Sequence, residues 1–393
     1  MRYALICLAL SPALAPIASA QWEDDWQVWE TKTEIGTTLL GATHADEPVL
    51  YRFWLDTSRN RILDNGVEIG AAGRVEVQRD HPARAGFSGV PNGTEGSGFG
   101  LQGAFTGLAT GIPAENEDAR LQLEQAYVYA NGGYGELRLG RDAGVALRFR
   151  EGSPSIFNTV AIGAQTLDPS GTDVITTRHD LTGPSAKLTY TTPRLIGFRA
   201  GLSFTPRVAV RGMDRDADRN LPSTAPVTLK NAAEGAVNFS HLLRQSGVRV
   251  RASVAASTAE VDVPAYAAAS YDRVSTWSLG GSLEYQDFSF GASYLNSDNG
   301  MASQGDYDAW TLGLTRKVGN YLLGAEYGEG EDNLTNLDGK VWSVGVAREF
   351  GDHVKGSLGY RETDLDFVPI PASAGVQTGN SLDGIVIEIT LSN

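Results

Sequence analysis

The sequence predicts an all-β protein, a transmembrane antiparallel β-barrel of about sixteen strands. Three observations carry that expectation. Apolar residues alternate strictly with small or polar ones, short turns alternate with long polar loops, and no helix-length apolar window follows residue 20.

The first element is a leader. Arg2 is a lone cation, Tyr3 to Leu14 form a short apolar run, Pro16 breaks it, and Ala18-Ser19-Ala20 is a small-x-small cleavage site. The run is shorter than the roughly 20 residues of a spanning helix. Residues 1–20 are therefore read as a signal peptide, and 21–393 as the barrel.

Along the rest of the chain the alternation has a period of two. In Trp342-Ser343-Val344-Gly345-Val346-Ala347-Arg348-Glu349-Phe350 the even positions are large and mostly apolar, and the odd ones small or polar. Trp310 to Val318 and Trp277 to Tyr285 repeat the design, with the tryptophans 33 and 32 residues apart. Each segment ends in a short polar turn (Gln286-Asp287, Gly319-Asn320, Gly351-Asp352) and a returning strand: Phe288, Phe290 and Tyr294 share one face, as do Tyr321, Leu323 and Tyr327. Successive strand residues face opposite sides, so each segment has one apolar and one hydrophilic face. The full parsing places strands near 28–41, 48–57, 66–80, 119–130, 133–141, 185–192, 197–206, 230–242, 247–259, 274–286, 287–296, 307–318, 319–329, 340–350, 352–363 and 381–391. An even number puts both termini on the periplasmic side. Phe99 to Leu108 is a further segment able to pair as a strand.

A soluble sandwich or propeller also alternates. Two features oppose it here: aromatics recur at the ends of the apolar faces, as in an interfacial girdle, and no helix-period segment supplies a layer to cover those faces. Hydrocarbon offers no hydrogen-bond partner, so strand edges within it must pair and the sheet must close. Sixteen strands enclose an aqueous bore.

Composition excludes other classes. The only cysteine, Cys7, lies in the leader, so the mature chain has no disulfide. Setting Arg2 aside leaves 31 of the 32 basic side chains against 47 acidic ones, a formal balance of −16 that argues against nucleic acid as a partner. A mature chain of 373 residues would ordinarily form two or three soluble domains, yet no linker divides it.

The run Glu124-Gln125-Ala126-Tyr127-Val128-Tyr129, with Gly132-Gly133-Tyr134-Gly135-Glu136-Leu137-Arg138-Leu139-Gly140-Arg141-Asp142 after it, resembles the general porins of Gram-negative bacteria. Lys187 to Pro193, Gly197 to Phe204 and Gly384 to Leu391 look like that family's next hairpin and last strand. The resemblance implies a homotrimeric outer-membrane diffusion channel for small hydrophilic solutes and ions, set in lipid and lipopolysaccharide. It also implies that the long segment 142–184 folds into the bore as a constriction loop. One departure stands out. The family usually ends in an aromatic residue that the assembly machinery reads, whereas this chain ends Leu391-Ser392-Asn393; either the signal is degenerate or Leu391 takes its place.

The candidate site is thus a constriction. The loop carries Arg148, Arg150, Glu151, Asp168 and Asp173; parity assigns Arg52, Arg74 and Arg138 to the bore, and Arg141, by match to the family's Gly-Arg motif, is placed where its strand enters the loop. Lys187, Arg199, Arg249 and Arg251 point inward as pore-lining residues. Arginines facing loop carboxylates would set up a transverse field, and rings of fixed charge bias ion passage by sign. Arg316 and Arg348 fall on the lipid face near its end and read as snorkelling anchors.

Other constellations are weaker. Asp214, Asp216, Asp218 and Asn220 alternate as in a calcium loop but lack its glycine and closing Glu, so a loop-bound Ca²⁺ is the minor reading and a solvated acidic loop the major one. Ser240 and His241 motivate a barrel hydrolase, yet adjacent strand residues point to opposite faces. With no clustered His and no nucleophile motif, no enzyme and no cofactor are expected. A substrate-preferring channel, for anions such as phosphate or for sugars, is the alternative that the inward arginines motivate.

Overall fold

A computed structural model describes residues 29–45, 47–82, 84, 100–109, 119–171, 174–209, 224–367 and 383–393. Among them run sixteen strands: β1 (Glu30–Ala42), β2 (Val49–Ile62), β3 (Glu68–Arg79), β4 (Arg120–Gly132), β5 (Gly135–Asp142), β6 (Ser185–Thr191), β7 (Phe198–Arg207), β8 (Thr228–Leu243), β9 (Val248–Asp262), β10 (Val274–Tyr285), β11 (Phe288–Ser297), β12 (Tyr307–Val318), β13 (Tyr321–Asp332), β14 (Leu337–Glu349), β15 (Val354–Phe367) and β16 (Asp383–Ser392). Each pairs antiparallel with its sequence neighbours, and β1 closes on β16 from Gly36↔Ser392 to Ala42↔Val386. All sixteen expected segments are present, with ends shifted by up to five residues. Phe99 to Leu108 adds no strand: Gly100 and Gln102 make isolated bridges only, and Phe99 lies outside the described residues.

The outer face is apolar because one parity of every strand is apolar. Leu312, Leu314, Val344, Leu358, Ile385 and Ile387 all stand exposed there, an arrangement stable only in lipid. At the long-loop end the three tryptophans each meet a tyrosine of the next strand, Trp277–Tyr294, Trp310–Tyr327 and Trp342–Tyr360, with ring centroids 5.1, 5.3 and 5.4 Å apart. At the short-turn end Arg316 lies 4.8 Å over Phe288, and Arg348 lies over Tyr321 and Phe350 while donating to the Tyr321 hydroxyl at 3.0 Å. These are the two girdles of a band in hydrocarbon, with cations reaching for the headgroups.

The turns follow from local chemistry. Gly319 sits at φ +59° between β12 and β13, a conformation that costs glycine little. The long segment between β5 and β6 instead turns inside, opening with a short helix α1 (Val145–Arg148). Apolar cores therefore lie within the barrel, between this loop and the wall. One joins Ile156, Phe157, Val160 and Leu167 of the loop to Leu40, Leu50 and Val386 of the wall. Another packs Val145, Ala146 and Phe149 on Ala236 and Ala255. Burying each large side chain contributes about 1.5–3 kcal/mol toward holding the loop inside.

Candidate channel constriction

The loop travels along the inner wall and back. Going out, the Glu151 amide donates to Ser253 Oγ of β9 at 2.9 Å, Ser153 bonds Thr311 of β12 at 3.0 Å, and Ser155 donates to Glu326 of β13 at 2.7 Å. On β16, Glu388 accepts from the amides of Asn158 and Thr159 at 2.7 and 2.8 Å and from the Thr159 hydroxyl. Arg361 of β15 donates to the Val160 carbonyl, and Gln78 of β3 to that of Thr166. On the return leg Thr177 meets Ser293, His179 bridges Ser278 and Ser257 at 2.7 Å each, and Thr182 donates to Glu234 of β8. Burial without a counter-charge pushes the His179 pKa down to about 3, so the ring bridges as a neutral base.

Glycines make the bed for this path. Gly280, Gly291, Gly313, Gly324, Gly345 and Gly359 lie on the inner face of six successive strands, β10 to β15, and a β-carbon on any of them would collide with its surroundings. For all six the loop is among the obstacles met within van der Waals reach: the Glu151 carbonyl for Gly280, the Gly152 carbonyl for Gly291, the Pro154 carbonyl for Gly313, Ile156 for Gly324 and Gly345, and Phe157 for Gly359. The sequence shows these residues only as small members of the hydrophilic face; their alignment depends on strand register.

The wall carries paired charges, beginning on β2 and β3. Arg52 donates to Glu76 at 2.5 Å, and Arg74 pairs with Asp56 at 3.4 Å and with Glu76 at 3.6 Å. Glu136 receives three guanidiniums: Arg138, Arg148 at 2.9 Å and Arg199 at 3.4 Å. Arg138 also reaches Asp142 at 2.9 Å. Near the short-turn end Arg249 and Arg251 both face Glu284 of β10, at 3.8 and 3.1 Å. Burial first, then the neighbouring Arg138, lowers the Arg148 pKa, while Glu136 and Asp142 oppose the shift.

Arg52, Arg74, Arg138, Arg148, Arg199, Arg249 and Arg251 thus stand in the bore as the sequence implied, but opposite wall carboxylates rather than loop ones. Four expectations are corrected. Arg141 shares the outward parity of Leu137 and Leu139 and donates to the Leu123 carbonyl, because parity overrides the motif match. Arg150 is turned into the loop, onto the Thr177 and Gly163 carbonyls, and its burial draws the pKa down to about 10. Asp168 is wholly buried and accepts from Ser170, while its amide donates to Asp80. Lys187 faces inward but is 3 % exposed, capped beneath the loop by Thr182 and the Gly183 carbonyl. Glu151 accepts from Asn238 at 3.1 Å. Asp173, Asp214, Asp216, Asp218 and Asn220 lie outside the described residues. Ser240 has inward parity, and His241 stacks outside on Phe239.

A model of the Gram-negative porin family matches residues 36–367. The chain belongs to that family. Similar solved structures include an anion-selective porin from Comamonas acidovorans, 14% identical with a TM-score of 0.56, covering 93% of this chain and 100% of that one. The outer-membrane OmpT of Vibrio cholerae follows at 14% identity and a TM-score of 0.54, covering 94% and 99%. A trimer form of OmpT, folded in vitro, is 15% identical with a TM-score of 0.52, covering 94% and 100%. No curated protein matches. This porin is an outer-membrane channel of a Gram-negative bacterium. The loop between β5 and β6 occupies its bore, and paired charges line the wall beside it.

Proposed function

We propose that this porin is a weakly ion-selective diffusion channel for small hydrophilic solutes, with no enzymatic step. The carrying observation is the pairing of the bore's arginines with carboxylates on their own wall. Three guanidiniums face two carboxylates around Glu136, and two face Glu284. Such pairs wet polar solutes but leave little net field to sort ions by sign. The test is planar-bilayer conductance under a salt gradient. A zero-current potential close to that of bulk ion mobility is expected; a strong anion potential with saturating current favours the substrate-preferring alternative instead. The small positive excess in those two groups, and the anion selectivity named for the Comamonas acidovorans porin, are what support that second reading.

The assembly we propose is a homotrimer surrounded by lipid and lipopolysaccharide. The trimer form described for Vibrio cholerae OmpT supports it. Cross-linking in intact outer membranes should stop at three copies. We also propose that residues 1–20 are removed on export, so that sequencing of the membrane-extracted protein starts at Gln21.

A further inference from the structure

The bore face of β2 carries an indole among its charges. Trp54 of β2 shares the inward face with Arg52 and Asp56, while its neighbours Phe53 and Leu55 are exposed to lipid. Its indole lies over Gly36, its register partner on β1, in space that any β-carbon at 36 would fill. The Arg52 and Arg74 guanidiniums each stand 5.6 Å from the ring centroid. Two positions along the strand, about 7 Å away, a recess of ≈ 240 Å³ opens between Lys32, Glu34, Asp56, Ser58, Arg74 and Gln125. That is small beside the roughly 300–1,000 Å³ of drug-sized sites, and gives room for one sugar ring rather than a chain.

We propose that Trp54 and this recess form a weak binding subsite for a neutral saccharide. An aromatic face is electron-rich and attracts the polarised C–H face of a pyranose. The rim supplies what sugar hydroxyls need: carboxylates to accept from them, and ammonium, guanidinium and amide groups to donate to them. The charge balance separates this ligand from an anion. Lys32, Arg52 and Arg74 are matched one for one by Glu34, Asp56 and Glu76, so a phosphate or carboxylate gains no net attraction, whereas a polyol can bond to both signs. The assignment rests on the diffusion-channel reading and names a solute class for it.

The test is sugar-dependent current block in planar bilayers, with glucose and maltose as probes and benzoate and inorganic phosphate as comparisons. Wild type should conduct and show a saturable block by sugar. W54A should conduct with sugar affinity about tenfold weaker, equivalent to about 1.4 kcal/mol, and W54F should retain most of the block. Should W54A form no channels, D56N supplies the second variant and should weaken the block in the same direction. A wild-type channel whose current falls only with solution viscosity overturns the subsite and leaves the channel reading standing. Block undiminished in W54A, or saturable block by the anions alone, also overturns it. A wild-type protein that does not conduct removes both.

Discussion

The backbone carbonyl of Glu151 occupies the space that a β-carbon on Gly280 would need. The loop is therefore seated against bare backbone at that point, and any side chain must lift it. G280V should cost about 1–3 kcal/mol in overpacking and raise single-channel conductance and noise. Identical conductance in G280V would show that the loop does not lean on β10.

Glu388 anchors the loop at the opposite wall. It is 1 % exposed and accepts from two amides and a hydroxyl of Asn158 and Thr159. E388A leaves those donors to be re-solvated, at about 1–3 kcal/mol for each that stays buried. Liposome-swelling assays should then admit larger sugars than wild type does, and protease should cut near 158 in E388A alone. An unaltered size cut-off argues against the anchor.

The His179 bridge makes the return leg sensitive to acid. Its folded pKa, about 3, lies below the ordinary 6.5, so the neutral ring's contribution is complete above 6.5 and is lost as pH falls from there toward 3. Loop proteolysis should rise across that window in wild type. H179Q, which cannot take up the proton, should lack that component, and parallel curves for the two proteins would assign the titration to another group.

Charge changes should act by parity. E136Q removes the carboxylate shared by Arg138, Arg148 and Arg199 and should shift reversal potentials toward anions. R141E, on the outward face, should leave them nearly unchanged. A larger shift from R141E than from E136Q would place that side chain in the bore after all.

On the lipid side, Leu312 and Val344 stand mid-band. L312K or V344K should cost about 2–4 kcal/mol in membrane stability, read as a lower unfolding midpoint in detergent or lipid. Wild-type midpoints would deny that this face meets hydrocarbon.

Much of this molecule was legible because strand parity is a local property. Trp342, Val344 and Val346 announce a lipid face without reference to anything distant, and the solvent then forces closure. The inward arginines followed from the same parity, which is also why the motif-based placement of Arg141 failed. Partners were not legible. That Arg52 meets Glu76, or that three arginines share Glu136, depends on register between strands and on where a forty-residue loop lies.

The sequence by itself determined the barrel, its strand number, its two girdles and the family, since each is written in residues close along the chain. Only the tertiary structure decided which charges see water. Asp168 was buried within the loop and Lys187 beneath it, a line of glycines became its bed, and Trp54 emerged over Gly36. The physical reason is that the alternating pattern gives each side chain a direction, while its neighbours across the bore come from strands that only closure brings together.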